Sequence, residues 1–154
     1  MIIEEIDFLT IENIWRNKLW PGRISAIEPY STMMFMHDRY DAEFANRPRI
    51  FLGGFINSLL VAVTSLHLAE ARMARHRGLW VDPEFRKQGN GTKIITAASA
   101  HAGLLGADAI WSFPRKSSMS AYCASGYIQS SPWVNHGEFG PNCYAICFLE
   151  KYNQ

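Results

Sequence analysis

Little in this chain announces a partner by its charge. Lysine and arginine (15) nearly balance aspartate and glutamate (14), for a net charge of +1, and charged residues make up only 19% of the 154. No global field draws the chain to nucleic acid or to a membrane surface. Cysteine is also scarce. The three present, Cys123, Cys143 and Cys147, form no CxxC pair. An odd count argues against a disulfide framework and for a reducing compartment. Cys143 and Cys147 lie four apart in an apolar run and face one side, where His136 could join them around zinc. Such a pair reads far better as small buried hydrophobes, and no metal is expected. No stretch reaches the roughly 18 apolar residues of a membrane span. The opening MIIEEIDFLT is acidic and lacks a positive region, so no signal peptide is expected and the chain reads as cytoplasmic. There is no linker, repeat or low-complexity segment.

What the chain does have is periodicity and a core's worth of apolar residues, 48% of the total. Ile2 to Asp7 reads as a short strand. Thr10 reads as the N-cap of a helix with Ile11, Ile14, Trp15 and Leu19 at helical spacing, broken by Pro21-Gly22. After Pro29, YSTMMFMHDRY reads as a second helix capped by Ser31 or Thr32. RIFLGGFI and LLVAVTSLHLA read as strands joined by a tight turn at Asn57-Ser58, with Gly53-Gly54 marking a bulge or a close backbone approach. A turn at Glu70-Ala71-Arg72 leads to the strand MARHRGLWV. TKIITAASAHAGLL is helical, with Ile95, Ala98, Ala102 and Leu105 on one stripe and Gly106 at the C-cap. DAIWSF is a strand, Lys116 to Ser125 a helix closed by Gly126, and Tyr127 to Ser130 and Cys143 to Glu150 two last strands. The order β-α-α-β-β-β-α-β-α-β-β predicts a single domain over 1–154, α/β or α+β in class, with helices on the faces of a mixed sheet.

Between the fourth strand and the helix after it lies LWVDPEFRKQGNG. From Arg72 to Lys93 there are six basic residues against Asp82 and Glu84, so an anion-binding site is expected here. A helix N-terminus offers unpaired N–H groups and the positive end of the helix dipole. Glycines before it let an anion reach the main chain, and the combination is a phosphate cradle. GNGTK does not have Walker A spacing. A dinucleotide-binding GxGxxG fails because Ile94 holds the third glycine position. What remains is R-x-x-G-x-G, carried by Arg86, Gly89 and Gly91.

This stretch resembles the acetyl-CoA-binding motif of the GCN5-related N-acetyltransferases, the GNAT superfamily. That motif is an apolar strand ending V-x-P-x-x-R, followed by [RQ]-x-x-G-x-[GA] at the start of a long helix. Val81, Pro83 and Arg86 fit its first part; Arg86, Gly89 and Gly91 fit its second. Downstream, SMSAYCASGYI resembles the family's second motif through Tyr122, Gly126 and Tyr127. The element order over almost the whole chain also matches the family topology, which implies a mostly antiparallel central sheet. Two features depart from the pattern. Asn90 stands where an aliphatic residue is common, and Arg115, Lys116 and Ser117 stand where the second motif usually has an asparagine.

The resemblance implies transfer of an acetyl group from acetyl-CoA to a primary amine of a small molecule or peptide by direct attack on the thioester. It implies cofactor contacts from Trp80 and Val81 at the strand end, from Arg86, Lys87, Gln88, Gly89, Asn90, Gly91 and Thr92 in the loop, and from Lys116 and Ser117. A backbone N–H near Val81 would polarise the thioester carbonyl. Tyr122 matches the general acid that protonates the leaving thiolate. His67, Glu70 and His76 are candidates for the base or a water relay that frees the amine. The acceptor would enter between the region of Leu19 to Arg49 and the loop Ser131 to Asn142. The resemblance also implies a homodimer formed through sheet edges or C-terminal strands. Two other classes compete. One is a catalytically silent module of the same fold that binds CoA or serves a structural or interaction role. The other, weaker on charge, is nucleic-acid binding through Arg72, Arg75 and Arg77.

Overall fold

The structure, a computed structural model, describes residues 1–31, 46–69, 71–135 and 139–150. Its strands are β1 (Ile2–Glu5), β2 (Arg49–Ile56), β3 (Leu59–Leu68), β4 (Met73–Val81), β5 (Ala109–Ser112), β6 (Ile128–Gln129) and β7 (Ala145–Phe148). They form one seven-stranded sheet in the order β1-β2-β3-β4-β5-β7-β6. Every neighbouring pair is antiparallel except β4 with β5. Among the described residues three α-helices flank it: α1 (Phe8–Ile14), α2 (Asn90–Leu104) and α3 (Met119–Ala124). This is the mixed sheet expected from the element order, mostly antiparallel as the resemblance implied. The second expected helix, after Pro29, falls largely on residues outside those described.

Local chemistry accounts for most of the elements. Asp7 caps α1, with its carboxylate accepting from the Thr10 N–H at 2.8 Å. The helix thus starts one turn before the Thr10 expected from sequence, because Asp7 is extended and Phe8 already helical. It continues into a five-residue π turn, Trp15–Leu19. Asn57 and Ser58 both have positive φ, 49° and 64°, the signature of a two-residue hairpin turn. The register of β2 on β3 slips between Gly54 and Phe55, at the expected glycine pair. A Cβ at Gly53 would come within 2.8 Å of Ile6 Cγ2, so close approach explains the glycine.

Two cores lie on opposite sides of the sheet. On one, α2 and α3 pack Ile94, Ile95, Ala98 and Tyr122 against Leu52, Leu66 and Ile110. On the other, α1 and its π turn pack Ile11, Trp15 and Trp20 against Phe51, Val63 and Trp80. Cys143 and Cys147 both belong to the α2 side core, as small hydrophobes would. Among the described residues no group of metal-ligating side chains converges, and His136 lies outside those residues. No described helix is long and apolar enough to cross a membrane.

β4 is the strand that shapes the site. Val63 pairs with Trp80 and Ser65 with Arg77, so Thr64 is opposed by two residues, Gly78 and Leu79. This is a β-bulge, with Gly78 at φ +77°. The indole of Trp15 donates to the Gly78 carbonyl at 2.9 Å and seals the bulge from the α1 side. Pairing of β4 with β5 covers only Met73–Arg75 against Ala109–Trp111. Beyond Arg75 the two strands separate and a split opens through the sheet.

Candidate active site

The split is a cavity of about 850 Å³ running from one face of the sheet to the other. Its edge is the main chain of β4. Asp82 N–H donates to Val61 of β3 at 2.8 Å. Because backbone groups alternate along a strand, the N–H and C=O of Leu79 and Val81 point the other way, into the split. Arg86 confirms that direction, with its Nε holding the Val81 carbonyl at 2.8 Å.

At the α2 end of the cavity the glycine loop leads directly into the helix. Gly89 is the N-cap, in the left-handed region at φ 77°, with no side-chain cap on the helix. The first helical hydrogen bond runs from Lys93 N–H to the Gly89 carbonyl at 3.0 Å. The N–H groups of Asn90, Gly91 and Thr92 therefore lack a partner within the helix. A Cβ at Gly89 would meet nothing within 4 Å, so the space before these donors is open. Arg86 and Lys87 border the same end. The arrangement fits a pyrophosphate on the helix N-terminus, with a narrow chain laid along β4.

Tyr122 stands at the apex of the split, where the β4–β5 ladder ends. Ser112 Oγ donates to the His76 carbonyl at 2.8 Å and lies 3.3 Å from the Tyr122 hydroxyl. The single Ser112 proton serves one of these acceptors at a time, and the shorter contact is the one to His76. Tyr122 is 3% exposed. Burial pushes its pKa up to about 12, against the opposing pull of Ser112. The phenol thus holds its proton at neutral pH.

His76 sits beside it but is a different kind of group. It is fully buried, its Nε2 lies 2.5 Å from Thr64 Oγ1, and its Nδ1 lies 3.4 Å from the Tyr127 hydroxyl. Burial pushes its pKa down to about 3, so the ring is neutral and weakly basic. The folded value lies below the ordinary 6.5. The stability this group contributes is therefore present above about pH 6.5 and is lost as pH falls toward 3, at up to ~1.4 kcal/mol per pH unit. Urea midpoints measured from pH 7 to pH 4 should fall more steeply for the wild type than for His76→Gln. Equal slopes would mean that His76 is not the group that titrates.

Of the residues expected at the cofactor, Trp80, Val81, Arg86, Lys87, Gly89, Gly91, Thr92 and Ser117 border the cavity. The Trp80 side chain itself is buried in the α1 side core. The other three, Gln88, Asn90 and Lys116, do not border the cavity. Asn90 is buried and donates to the Phe85 carbonyl at 2.9 Å, and Gln88 donates to the Glu84 carbonyl at 3.0 Å. Both brace the loop. Lys116 instead lies 6.0 Å over the Trp133 ring. Among the candidate bases, Glu70 lies outside the described residues. His67 is buried opposite Arg75, which places it on the α1 face of the sheet. Sequence reading missed Gly78 and Ser112, and named Arg75 and Arg77 only within an anion-binding run and the nucleic-acid reading. A lone glycine inside a strand pattern signals a bulge and could have found Gly78; Ser112 carries no local signal.

Residues 14–127, more than half of the chain, match the model of the acetyltransferase (GNAT) family. No curated protein sequence matches. Solved structures share the fold at low identity. An aminoglycoside 6'-N-acetyltransferase complexed with coenzyme A has TM-score 0.68 and 14% identity, over 100% of both chains. A point mutant of the spermidine N-acetyltransferase SpeG from Vibrio cholerae has TM-score 0.70 and 12% identity, over 100% of this chain and 98% of that one. The PaiA N-acetyltransferase from Thermoplasma acidophilum, in complex with coenzyme A, has TM-score 0.55 and 18% identity. That match covers 65% of this chain and spans 60% of that chain's length. With a bulged strand parting from its neighbour, an uncapped glycine-led helix at the parting and a family match across both, the chain belongs to the GNAT acetyltransferase family.

Proposed function

We propose that the protein is a cytoplasmic, acetyl-CoA-dependent N-acetyltransferase acting on a primary amine of a small molecule or peptide by direct attack. One observation carries the proposal: the protonated Tyr122 hydroxyl stands at the apex of a split that leads, on the same side, to the open N-terminus of α2. Bound acetyl-CoA would supply an activated acyl group, a thioester carbonyl open to an amine. The residues divide the remaining work. The N–H groups of Asn90, Gly91 and Thr92, with Arg86 and Lys87, hold the pyrophosphate. Leu79 and Val81 present N–H groups along the split, and one of them polarises the thioester oxygen. Tyr122 holds the proton for the departing sulfur. An alkylamine, with a pKa of ~10.4, must lose a proton before it attacks. His67 shares the α1 face with Arg75 but is fully buried away from the cavity, and we assign that relay to water within the split.

The test is calorimetric titration with CoA and acetyl-CoA, followed by thiol release with a panel of amines. Tyr122→Phe should lower kcat by about 100-fold or more, the range of a lost general acid, while CoA affinity stays within a few-fold. An unchanged kcat would return Tyr122 to a packing role. Absence of CoA binding by folded wild-type protein would sink the acetyltransferase reading.

A further inference from the structure

The apex of the split holds a second hydroxyl beside Tyr122. Ser112 ends β5, one residue beyond the point where pairing with β4 stops. Had the ladder continued in register, Ser112 would stand opposite His76. Instead its Oγ donates across the gap to the His76 carbonyl at 2.8 Å, so a side chain takes over where main-chain pairing ends. The same Oγ lies 3.3 Å from the Tyr122 hydroxyl. Among the described residues it is the one hydrogen-bond partner of that phenol. Ser112 is buried, yet with His76 and Tyr122 it borders the cavity.

Two rings pack against the phenol. The His76 ring of β4 lies 5.3 Å from it, and the Tyr127 ring meets it edge-on at 5.0 Å. Burial holds His76 neutral. Burial and the neighbouring Tyr122 both keep the Tyr127 proton in place. A phenolate left here by proton transfer would be a buried charge, which is costly without a hydrogen bond. Ser112 has one proton and two acceptors. While Tyr122 is protonated, the shorter bond to His76 takes that proton. Once Tyr122 is a phenolate, its charged oxygen is the stronger acceptor, since bonds to ionised groups are roughly twice as strong as neutral ones. Turning the O–H about the Cβ–Oγ bond moves the donor from one acceptor to the other without moving a heavy atom.

We propose that Ser112 is a positioning residue for the acid: its hydroxyl fixes the Tyr122 oxygen at the apex and turns to carry the phenolate once the proton has left. The inference rests on the acetyltransferase reading and adds a residue to its chemistry. As the amine attacks, the C–N bond forms and the C–S bond breaks, leaving its electron pair on sulfur. The Tyr122 O–H breaks and the S–H forms. The phenolate holds the Ser112 hydrogen bond until it recovers, through water in the split, the proton released by the acylated amine. The test measures thiol release from acetyl-CoA with hydroxylamine, a small amine already neutral at pH 7, after subtracting the uncatalysed rate. Ser112→Ala should lower kcat by ~10-fold or more, the scale of one hydrogen bond to a charged group, while CoA affinity by calorimetry stays within a few-fold. Ser112→Thr keeps the hydroxyl and should recover most of the rate. The deciding readout is the double variant. With Tyr122→Phe there is no phenolate to carry, so adding Ser112→Ala should change kcat by less than about twofold. Thermal melts establish that each variant is folded; should Ser112→Ala not fold, Ser112→Cys, a weak donor, takes its place in the cycle. An equal loss in both backgrounds, or no loss in either, would overturn the inference and leave Tyr122 and the acetyltransferase standing. Wild type that binds CoA but speeds no thiol release would remove the inference and the acid role of Tyr122 together. Failure to bind CoA at all would remove the acetyltransferase reading as well.

Discussion

Gly89→Glu should reduce CoA affinity by at least about 100-fold, which corresponds to ~2.7 kcal/mol, while the protein stays folded. Gly89 is the N-cap of α2 at φ 77°, and a Cβ there meets nothing within 4 Å. The new side chain therefore has room, and the fold bears only the left-handed backbone penalty of roughly 1–2 kcal/mol. The carboxylate would stand before the N–H groups of Asn90, Gly91 and Thr92, where the helix dipole favours negative charge. It would fill the anion position with a charge of its own. Gly89→Ala carries the same backbone strain without the charge, so its loss in affinity should be much smaller. Calorimetry on the three proteins separates strain from charge. If Gly89→Glu still bound CoA within a few-fold of wild type, the pyrophosphate would have to sit elsewhere.

The second large effect is on stability. Gly78→Ala should destabilise the fold by about 3 kcal/mol, the upper range for overpacking a core, lowering Tm by roughly 6–12 °C for a domain of this size. A Cβ at Gly78 would lie 2.5 Å from both Cε2 and Nε1 of Trp15, at a φ of +77°. Both residues are buried, and the indole has no room to retreat within the core of Ile11, Trp20, Phe51 and Trp80. The displacement also breaks the 2.9 Å hydrogen bond from Trp15 to the Gly78 carbonyl. Because that bond seals the bulge where β4 leaves β5, CoA binding should weaken even at temperatures where the variant is folded. Trp15→Phe alone should cost less. Combined with Gly78→Ala, it should give a total below the sum of the two, since a smaller ring relieves the clash. A Gly78→Ala variant within about 1 kcal/mol of wild type by urea melts would show that the indole does not hold the bulge.

The glycine-led start of α2 was legible because its parts are adjacent in the chain. Arg86, Gly89 and Gly91 follow a strand and open a helix within a dozen residues, and a phosphate cradle needs only that local geometry. The hairpin at Asn57-Ser58, the bulge at Gly53-Gly54 and the C-cap at Gly106 were readable for the same reason: each depends on backbone freedom or periodicity over a few positions. The start of α1 was misread by one turn because Asp7 and Thr10 both suit an N-cap, and only the hydrogen bond between them distinguishes cap from capped.

Sequence by itself determined the fold class, the family and the glycine-led helix start proposed to grip a phosphate, since these follow from local order along the chain. Tertiary structure decided the rest. The strand register that ends β4–β5 pairing at Arg75, the indole of Trp15 reaching Gly78 across 63 positions, and the contact of Ser112 with both His76 and Tyr122 join segments distant in sequence. Side-chain alternation shows which residues share a face of a strand. It does not show which strands part, and at a parting the buried groups of a strand become the walls of a cavity.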